Sequence, residues 1–392
     1  MKKEEIFEKV WLAVIAGGDG TRLFLFSNEN CPKQFCAIDD ENTFIQATIE
    51  RFLKLGINPK HVFIIVTNDA QYELATEQTA ERFGVLTANI QKIDPCHGYA
   101  GAMIVATNAI RNIDPNAIII QTPADQFVDA NESFILLMNE AITTANDGTP
   151  VIIGKDITDV NVAKELGNII YTKTSDNIFE IEDFIEKPEE KIITEIMRRK
   201  NSACNTGINI WKADVFDENT PNVKIKTDRL MKEILQNPKL IVGKFQWGDL
   251  GNFEALYRLN SQKTGISVIQ LGAKDNIRHT DCGEALLITD PSIEINVYGV
   301  NDVAIIAREI DGHYYLEISK FGANKEVAEA SKIYKECPMA FKDGITIGGN
   351  NNEFIDPDKK HYHACFIGVS GFKVWTYKRN SGKKGFQISY GI

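Results

Sequence analysis

No stretch of this sequence reaches the roughly 18 consecutive apolar residues that a membrane-spanning helix needs. The opening segment, MKKEEIFEKV, lacks the unbroken apolar core of a secretory leader, because acids follow its two lysines. No Cys-x-x-Cys occurs, and the seven cysteines are scattered and odd in number, which argues against a zinc ribbon or a disulfide framework. A reducing cytoplasm is the expected compartment. Basic residues are in deficit: 43 Lys and Arg face 54 Asp and Glu, a formal net charge of -11. That balance disfavours a broad grip on nucleic acid or on an anionic membrane, so neither is expected as a partner. Any cations that serve phosphorylated small molecules must then be placed locally.

At 392 residues the chain is long enough for two or three domains of roughly 150 residues each. Its first two-thirds alternates apolar runs with amphipathic stretches. Val10 to Ala16, His61 to Thr67 and Ala117 to Gln121 read as buried strands, and Thr43 to Leu55, Ala70 to Phe83 and Gly98 to Asn112 as helices. Continuous apolar strands separated by helices predict an α/β, doubly wound, mostly parallel sheet covered on both faces. From about Gly265 short strands follow one another without helices: Ser267 to Leu271, Ala285 to Thr289, Ile293 to Tyr298 and Val303 to Arg308. Their spacing suits a small sheet stack or a β-helix. Three ranges are expected: 1–262 as the catalytic domain, 263–325 as a β-helix-like domain, and 326–392 as a β-rich extension.

The strongest local signal is Gly17-Gly18-Asp19-Gly20-Thr21-Arg22, directly after the first strand. Clustered glycines let the backbone approach a ligand and turn successive N–H groups toward one anion, and Arg22 adds a permanent cation. A Walker loop is excluded because no Gly-Lys-Ser/Thr ends the run, and Leu23 stands where a dinucleotide fingerprint needs its third glycine. Alone, such a cluster also reads as an ordinary strand-to-turn junction. Cys31-Pro32-Lys33-Gln34-Phe35 follows, and its Lys33 lies on a turn from which a second cation could reach the same phosphates.

With these two motifs in order, the sequence resembles the mannose-1-phosphate guanylyltransferases, within the nucleotide-sugar pyrophosphorylases. The family carries Gly-Gly-x-Gly-x-Arg-Leu-x-Pro-x-Ser and then Pro-Lys-Gln-Phe; here Leu25 takes the proline position. The order continues through Pro123-Ala124-Asp125, with Gln126 where the family has His, and through Phe184-Ile185-Glu186-Lys187-Pro188. Asn205-Thr206-Gly207 and Trp247-Gly248-Asp249-Leu250-Gly251 complete it. One segment departs: Asp94-Pro95-Cys96-His97-Gly98-Tyr99-Ala100-Gly101-Ala102 lacks the family's Arg-Asn-Thr core beside the nucleotide.

The resemblance implies a Rossmann-like nucleotidyltransferase domain followed by a small left-handed β-helix. It also implies attack by a sugar 1-phosphate on the α-phosphorus of a nucleoside triphosphate, with loss of pyrophosphate. The nucleophile is already anionic, so positioning and charge neutralisation suffice, which fits the absence of a Ser-His-Asp arrangement. By resemblance Gly17, Gly18, Gly20, Thr21 and Asp125 hold the nucleotide, while Arg22, Lys33 and Lys187 act on phosphates. Gly167, Glu186 and Asn205 line the sugar pocket, and Asp228 lies in a sugar-side loop. Magnesium is the implied cofactor, since it takes one or two carboxylates plus substrate phosphates; Asp125 and Asp249 are its candidates. Outside the family either aspartate would read as a helix cap or a turn residue.

The first reading is a transfer from GTP to mannose 1-phosphate. A second keeps the reaction with another sugar or base, and a third is a silent paralogue that binds nucleotide sugar and regulates a partner. The substrates are then a nucleoside triphosphate and a sugar 1-phosphate, and a homodimer is implied. His361, His363 and Cys365 would share one face of a strand, but an isolated His-x-His is more often a surface or contact feature than a metal site.

Overall fold

The computed structural model describes residues 3–18, 23–27, 31–39, 41–156, 159–175, 177–199, 201–217, 219–342, 344–356, 361–378 and 383–390. The chain divides into two compact units. One comprises Met1–Gly18 and Ile45–Gly248, the other Asp19–Phe44 and Asp249–Ile392.

The first unit is built on a nine-stranded sheet. In chain order its strands are β1 (Val10–Ile15), β2 (Val62–Val66), β3 (Ile90–Lys92) and β4 (Ile118–Pro123), then, after a short β5 (Gln126–Val128) outside it, β6 (Val151–Asp156), β7 (Gly167–Ser175), β8 (Ile178–Glu186), β9 (Ser202–Lys212) and β10 (Lys239–Gly243). Their order is β3-β2-β1-β4-β9-β6-β10-β8-β7. Every residue of β1, β2 and β4 is buried, as strands covered on both faces require. Pairing is parallel across β3-β2-β1-β4 and between β6 and β10. It turns antiparallel at β9 and through the β7–β8 ribbon, so the expected α/β sheet is mixed in its second half.

The helix Asp69–Phe83 starts where the Asn68 side chain accepts the Gln71 N–H at 2.8 Å and stops at Gly84, whose φ of 78° is the left-handed cap. The helix Gly98–Ile113 lays Ala100, Met103, Ile104, Ala106 and Ile110 into a core with Trp11, Ala13, Ile15, Phe63 and Ile65. None of the described helices is long and apolar enough to cross a membrane.

In the second unit, β12 (Val268–Gly272), β13 (Ile277–Thr280), β14 (Ala285–Thr289), β15 (Ile293–Tyr298) and β16 (Val303–Ile310) alternate between two sheets. Strands two apart pair in parallel, which is the coil expected of a β-helix-like segment. An antiparallel hairpin to β17 (His313–Lys320) ends that winding. The helix Asn324–Glu336 follows, which was not expected in a β-rich extension. A second winding uses β18 (Ile345–Ile347), β19 (Glu353–Ile355), β20 (Tyr362–Ile367) and β21 (Phe372–Lys378), and β22 (Lys384–Tyr390) closes it. Residues 263–325 and 326–392, expected as separate domains, contribute to one core: Leu287, Ile295 and Ile305 meet Phe366, Phe386 and Ile388. The segment 19–44, expected in the catalytic range, also belongs to this unit.

His361 lies just before β20 rather than on it, and His363 is buried within it. The His363 ring stacks on Tyr315 at 4.5 Å between centroids and shares a 3.0 Å hydrogen bond with His313. Burial first, then the electrostatic influence of His313, Lys342 and His361, pushes its pKa down to about 4, with Asp356 opposing. A histidine with a depressed folded pKa supports stability above its unfolded value, near 6.5, and that support fades as pH falls toward about 4. Wild type should therefore lose up to about 1.4 kcal/mol per pH unit relative to His363→Gln across that window. Urea melts at several pH values test this, and parallel loss in the two proteins would contradict it.

Candidate active site

In the first unit, the glycine turn and the Asp125 turn emerge side by side from the carboxyl ends of adjacent parallel strands. Ile15 of β1 lies opposite Pro123 of β4, and the Ala124 N–H donates to the Ile15 carbonyl at 3.0 Å. Open α/β sheets bind ligands at such ends. A Cβ at Gly17 would sit 2.8 Å from Thr67 Cγ2 and force that side chain to shift, and Gly18 has a φ of +108°. Gln71, fully buried, pins this turn from behind. Its Nε2 donates to the Gly18 carbonyl at 3.3 Å, while its Oε1 accepts from the Thr67 N–H and hydroxyl at 2.8 and 2.9 Å. Gly20, Thr21 and Arg22, read as the rest of the phosphate loop, lie outside the described residues.

The backbone on either side of Asp125 is held from the helix Phe44–Leu53. The Thr48 hydroxyl donates to the Ala124 carbonyl at 3.1 Å, and the buried Arg51 guanidinium donates to the carbonyls of Gln126 and Val128 at 3.1 and 3.2 Å. Burial lowers the Arg51 pKa to about 9. Gln126, which takes the place of the family's histidine, is itself buried, and its Oε1 accepts the Trp247 indole N–H at 3.1 Å. Its role here is to join two of the sequence motifs.

The sugar-side residues gather on neighbouring strands. Gly167 faces Glu186 across the β7–β8 ribbon. A Cβ at Gly167 would lie 2.4 Å from Phe184 Cζ and 2.9 Å from Glu186 Oε2, so any larger residue would displace both side chains from their places over the strand. Lys187 adopts a φ of 44°, and its N–H donates to the Leu166 carbonyl at 3.1 Å. A non-glycine residue in the left-handed region stores strain, a frequent mark of a functional turn. Asn205 is buried; its Oδ1 accepts the Gly207 N–H at 2.9 Å. Gly207, at a φ of +77°, comes close to Pro123 and Gln126.

Tyr99, which sequence reasoning passed over, ties these parts together. Its hydroxyl donates to the Gly207 carbonyl at 3.3 Å. Burial raises its pKa, and the carboxylates of Asp125 and Glu186 raise it further, so both acids lie within electrostatic reach of one phenol. Glu186 is held above the usual carboxylate range by burial; Lys187 opposes the shift and Asp228 adds to it. Asp125, Glu186, Lys187, Asn205 and Asp228 thus belong to one neighbourhood, joined through Tyr99 and Glu186.

Besides Gly20, Thr21 and Arg22, the predicted residues Lys33 and Asp249 fall in the second unit. Lys33 sits in a single 3-10 turn, Lys33–Phe35, 4% exposed, with its ammonium 5.3 Å from the Phe44 ring centroid. Asp249 ends a short strand, β11 (Trp247–Asp249), and its side chain is outside the described set. Among the described residues, no group of three or more His, Cys, Asp or Glu could hold a metal ion.

Residues 12–265 match the family described as Nucleotidyl transferase. A mannose-1-phosphate guanylyltransferase of Sinorhizobium fredii is 22% identical over 346 residues, which cover 79% of this chain and 65% of that protein. Mannose-1-phosphate guanylyltransferase 2 of Escherichia coli O157:H7 is 27% identical over 215 residues, 52% of this chain and 43% of that protein. This chain therefore spans less than two-thirds of either relative's length. Among solved structures, a Thermus thermophilus protein described as mannose-1-phosphate geranyltransferase superposes with a TM-score of 0.69 at 22% identity, over 83% of this chain and 99% of that one. That likeness is one of fold. Because the family match covers more than half of the sequence and includes most of β1, the glycine turn and the Asp125, Glu186 and Asn205 motifs, this chain belongs to the nucleotidyl transferase family.

Proposed function

We propose that this protein transfers a guanylyl group from GTP to mannose 1-phosphate, releasing pyrophosphate. The observation that carries the reading is the glycine turn and the Asp125 turn side by side at the carboxyl ends of β1 and β4, with Gly167 facing Glu186 across the β7–β8 ribbon of the same sheet. The guanylyltransferase names of its curated relatives support the choice of base and sugar.

An oxygen of the sugar phosphate attacks the α-phosphorus, a new P–O bond forms, the bond to the β-phosphate bridging oxygen breaks, and pyrophosphate departs. Gly17 and Gly18 turn backbone N–H groups to the triphosphate, and the motif assigns Gly20, Thr21, Arg22 and Lys33 to the same phosphates, the last two as cations. Lys187 neutralises the sugar phosphate, while Glu186 and Asn205 hydrogen-bond sugar hydroxyls above Gly167. Asp125 is a hard oxygen donor on a braced turn, which suits magnesium shared with substrate phosphates, and Asp249 is the second candidate ligand. When bound, the ion would offset the negative charge of the two approaching phosphates.

Pyrophosphate release across four nucleoside triphosphates and several sugar 1-phosphates tests the assignment. GTP with mannose 1-phosphate should give the highest kcat/KM; a clear preference for another pair would overturn the specificity. A second expectation concerns Glu186. Only its ionised form is a pure acceptor for sugar hydroxyls, so KM for the sugar phosphate should rise up to about tenfold per pH unit below its raised pKa. In Glu186→Gln that limb should vanish. A KM that stays flat with pH in wild type would remove Glu186 from sugar binding.

A further inference from the structure

Cys31 and Cys36 bracket the Lys33 turn, and their sulfurs lie 3.5 Å apart. The turn between them is tight: the Phe35 N–H donates to the Pro32 carbonyl at 2.8 Å and the Cys36 N–H to the Lys33 carbonyl at 3.0 Å. Cys36 is buried, its sulfur also 3.0 Å from the Phe26 carbonyl oxygen and 3.3 Å from that of Cys31. Cys31 is half-buried on the wall of a pocket that it shares with Phe26, Asp290, Arg308, Glu309 and Asp311. In that wall Arg308 pairs with Asp290 and stacks over the Phe26 ring at 5.8 Å. A half-buried cysteine on a pocket wall thus rests against a buried one, across the turn that holds a predicted phosphate cation.

We propose that Cys31 and Cys36 are an oxidisable dithiol whose disulfide locks the Lys33 turn and slows nucleotidyl transfer. The locking stands by itself; its effect on rate rests on the role given above to Lys33. The oxidant class is a hydroperoxide, here hydrogen peroxide. The Cys31 thiolate attacks one peroxide oxygen, the O–O bond breaks, and hydroxide leaves, taking up a proton as water. The Cys31 sulfenic acid that results is attacked by the Cys36 sulfur. The S–S bond forms, the S–O bond breaks, and a second water carries away the Cys36 proton. Two thiols lose two electrons and two protons, and one peroxide becomes two waters. Only a short movement is needed, from 3.5 Å to a bond of about 2.05 Å.

The two sulfurs are unequal in the way such chemistry uses. The hydrogen bond shared with Cys36 lowers the Cys31 thiol below its ordinary range, and Arg308 helps against burial and Asp290. The same hydrogen bond and burial hold Cys36 well above its range, with Arg308 and Lys33 opposing only weakly. Exposed Cys96 is an internal control, because its hydrogen bond to Asp94 raises its thiol. Accessibility alone would make Cys96 react first; thiolate character favours Cys31.

The reduced full-length protein is treated with near-stoichiometric hydrogen peroxide, quenched with iodoacetamide, and examined by peptide mass mapping. The expected result is a Cys31–Cys36 disulfide, with Cys96 and Cys337 still alkylated, and slower amide exchange over Lys33 to Cys36. Turnover should fall about tenfold or more and return with dithiothreitol. Cys31→Ser, chosen because it spares the buried partner, should form no disulfide and keep its turnover under peroxide. Oxidation of Cys96 or Cys337 before Cys31 would overturn the dithiol, and a disulfide with unchanged amide exchange or unchanged turnover would overturn the lock. Mapping and exchange need no substrate, so a protein silent toward all sugar phosphates would fail the functional reading without obscuring this one.

Discussion

Asp125→Asn should lower kcat about 10²–10³-fold while leaving the thermal midpoint nearly unchanged. The carboxylate is replaced by an amide of the same shape, so the loss is one of charge at the reacting phosphates. The turn should survive because three contacts outside the carboxylate fix it. They are the Ala124 N–H to Ile15, the Thr48 hydroxyl to the Ala124 carbonyl, and Arg51 to the Gln126 carbonyl. If Asp125 holds magnesium, the variant should also need a higher magnesium concentration for half-maximal rate. Kinetics at several magnesium concentrations, with thermal melts alongside, make the test. A kcat within about threefold of wild type would show that Asp125 is not part of the charge-neutralising machinery.

Gly101→Ala should destabilise the protein by about 1–3 kcal/mol, against the direction that helix propensity gives. Gly101 lies inside the helix Gly98–Ile113, where alanine is normally favoured over glycine by about 1 kcal/mol. Here, however, a Cβ would meet the Asn222 carbonyl oxygen at 2.1 Å, and backbone has little room to yield. That carbonyl is also bound by His97 Nδ1 at 2.7 Å, and the Lys224 N–H donates to the Cys96 carbonyl at 3.2 Å, so the two segments are held together. Tyr99 stands two residues away, so displacement of the helix start should also loosen its bond to Gly207. A thermal melt decides between the two effects, and a midpoint above wild type would mean that the close approach to Asn222 costs nothing.

The framework of the first unit was readable because its strands carry their own signal. The apolar runs at Val10 to Ala16, His61 to Thr67 and Ala117 to Gln121 became β1, β2 and β4 with no end shifted by more than two residues. The helices beside them were equally plain, since 3.6-residue periodicity is local information. Partnerships between distant segments were not local, and those were missed. Gln71 is a polar residue on a helix until the fold brings Gly18 and Thr67 to its two ends. Tyr99 could have been any aromatic of a helix core, and Arg51 any surface arginine. The helix Asn324–Glu336 did carry a signal, Val327, Ala330 and Ser331 on one buried face, which the surrounding β-rich pattern masked. Cys31 and Cys36 lack the Cys-x-x-Cys spacing that marks a redox pair, and only the tight Lys33 turn between them brings their sulfurs together.

Among the candidate residues, Glu186 and Gly167 were placed by motif alone, yet their pairing has a steric cause, since the carboxylate occupies the space that a side chain at Gly167 would fill. By motif Gln126 is a departure close to the presumed metal; in the structure its side chain accepts the Trp247 indole N–H and so braces the turn.

The most direct test follows the phosphorus atoms. With mannose 1-phosphate present, GTP labelled at the α-phosphate should pass its label into a nucleotide sugar, and GTP labelled at the γ-phosphate should release its label as pyrophosphate. Label from the γ-phosphate appearing on the sugar or as inorganic phosphate, with none from the α-phosphate in a nucleotide sugar, would contradict nucleotidyl transfer by this protein.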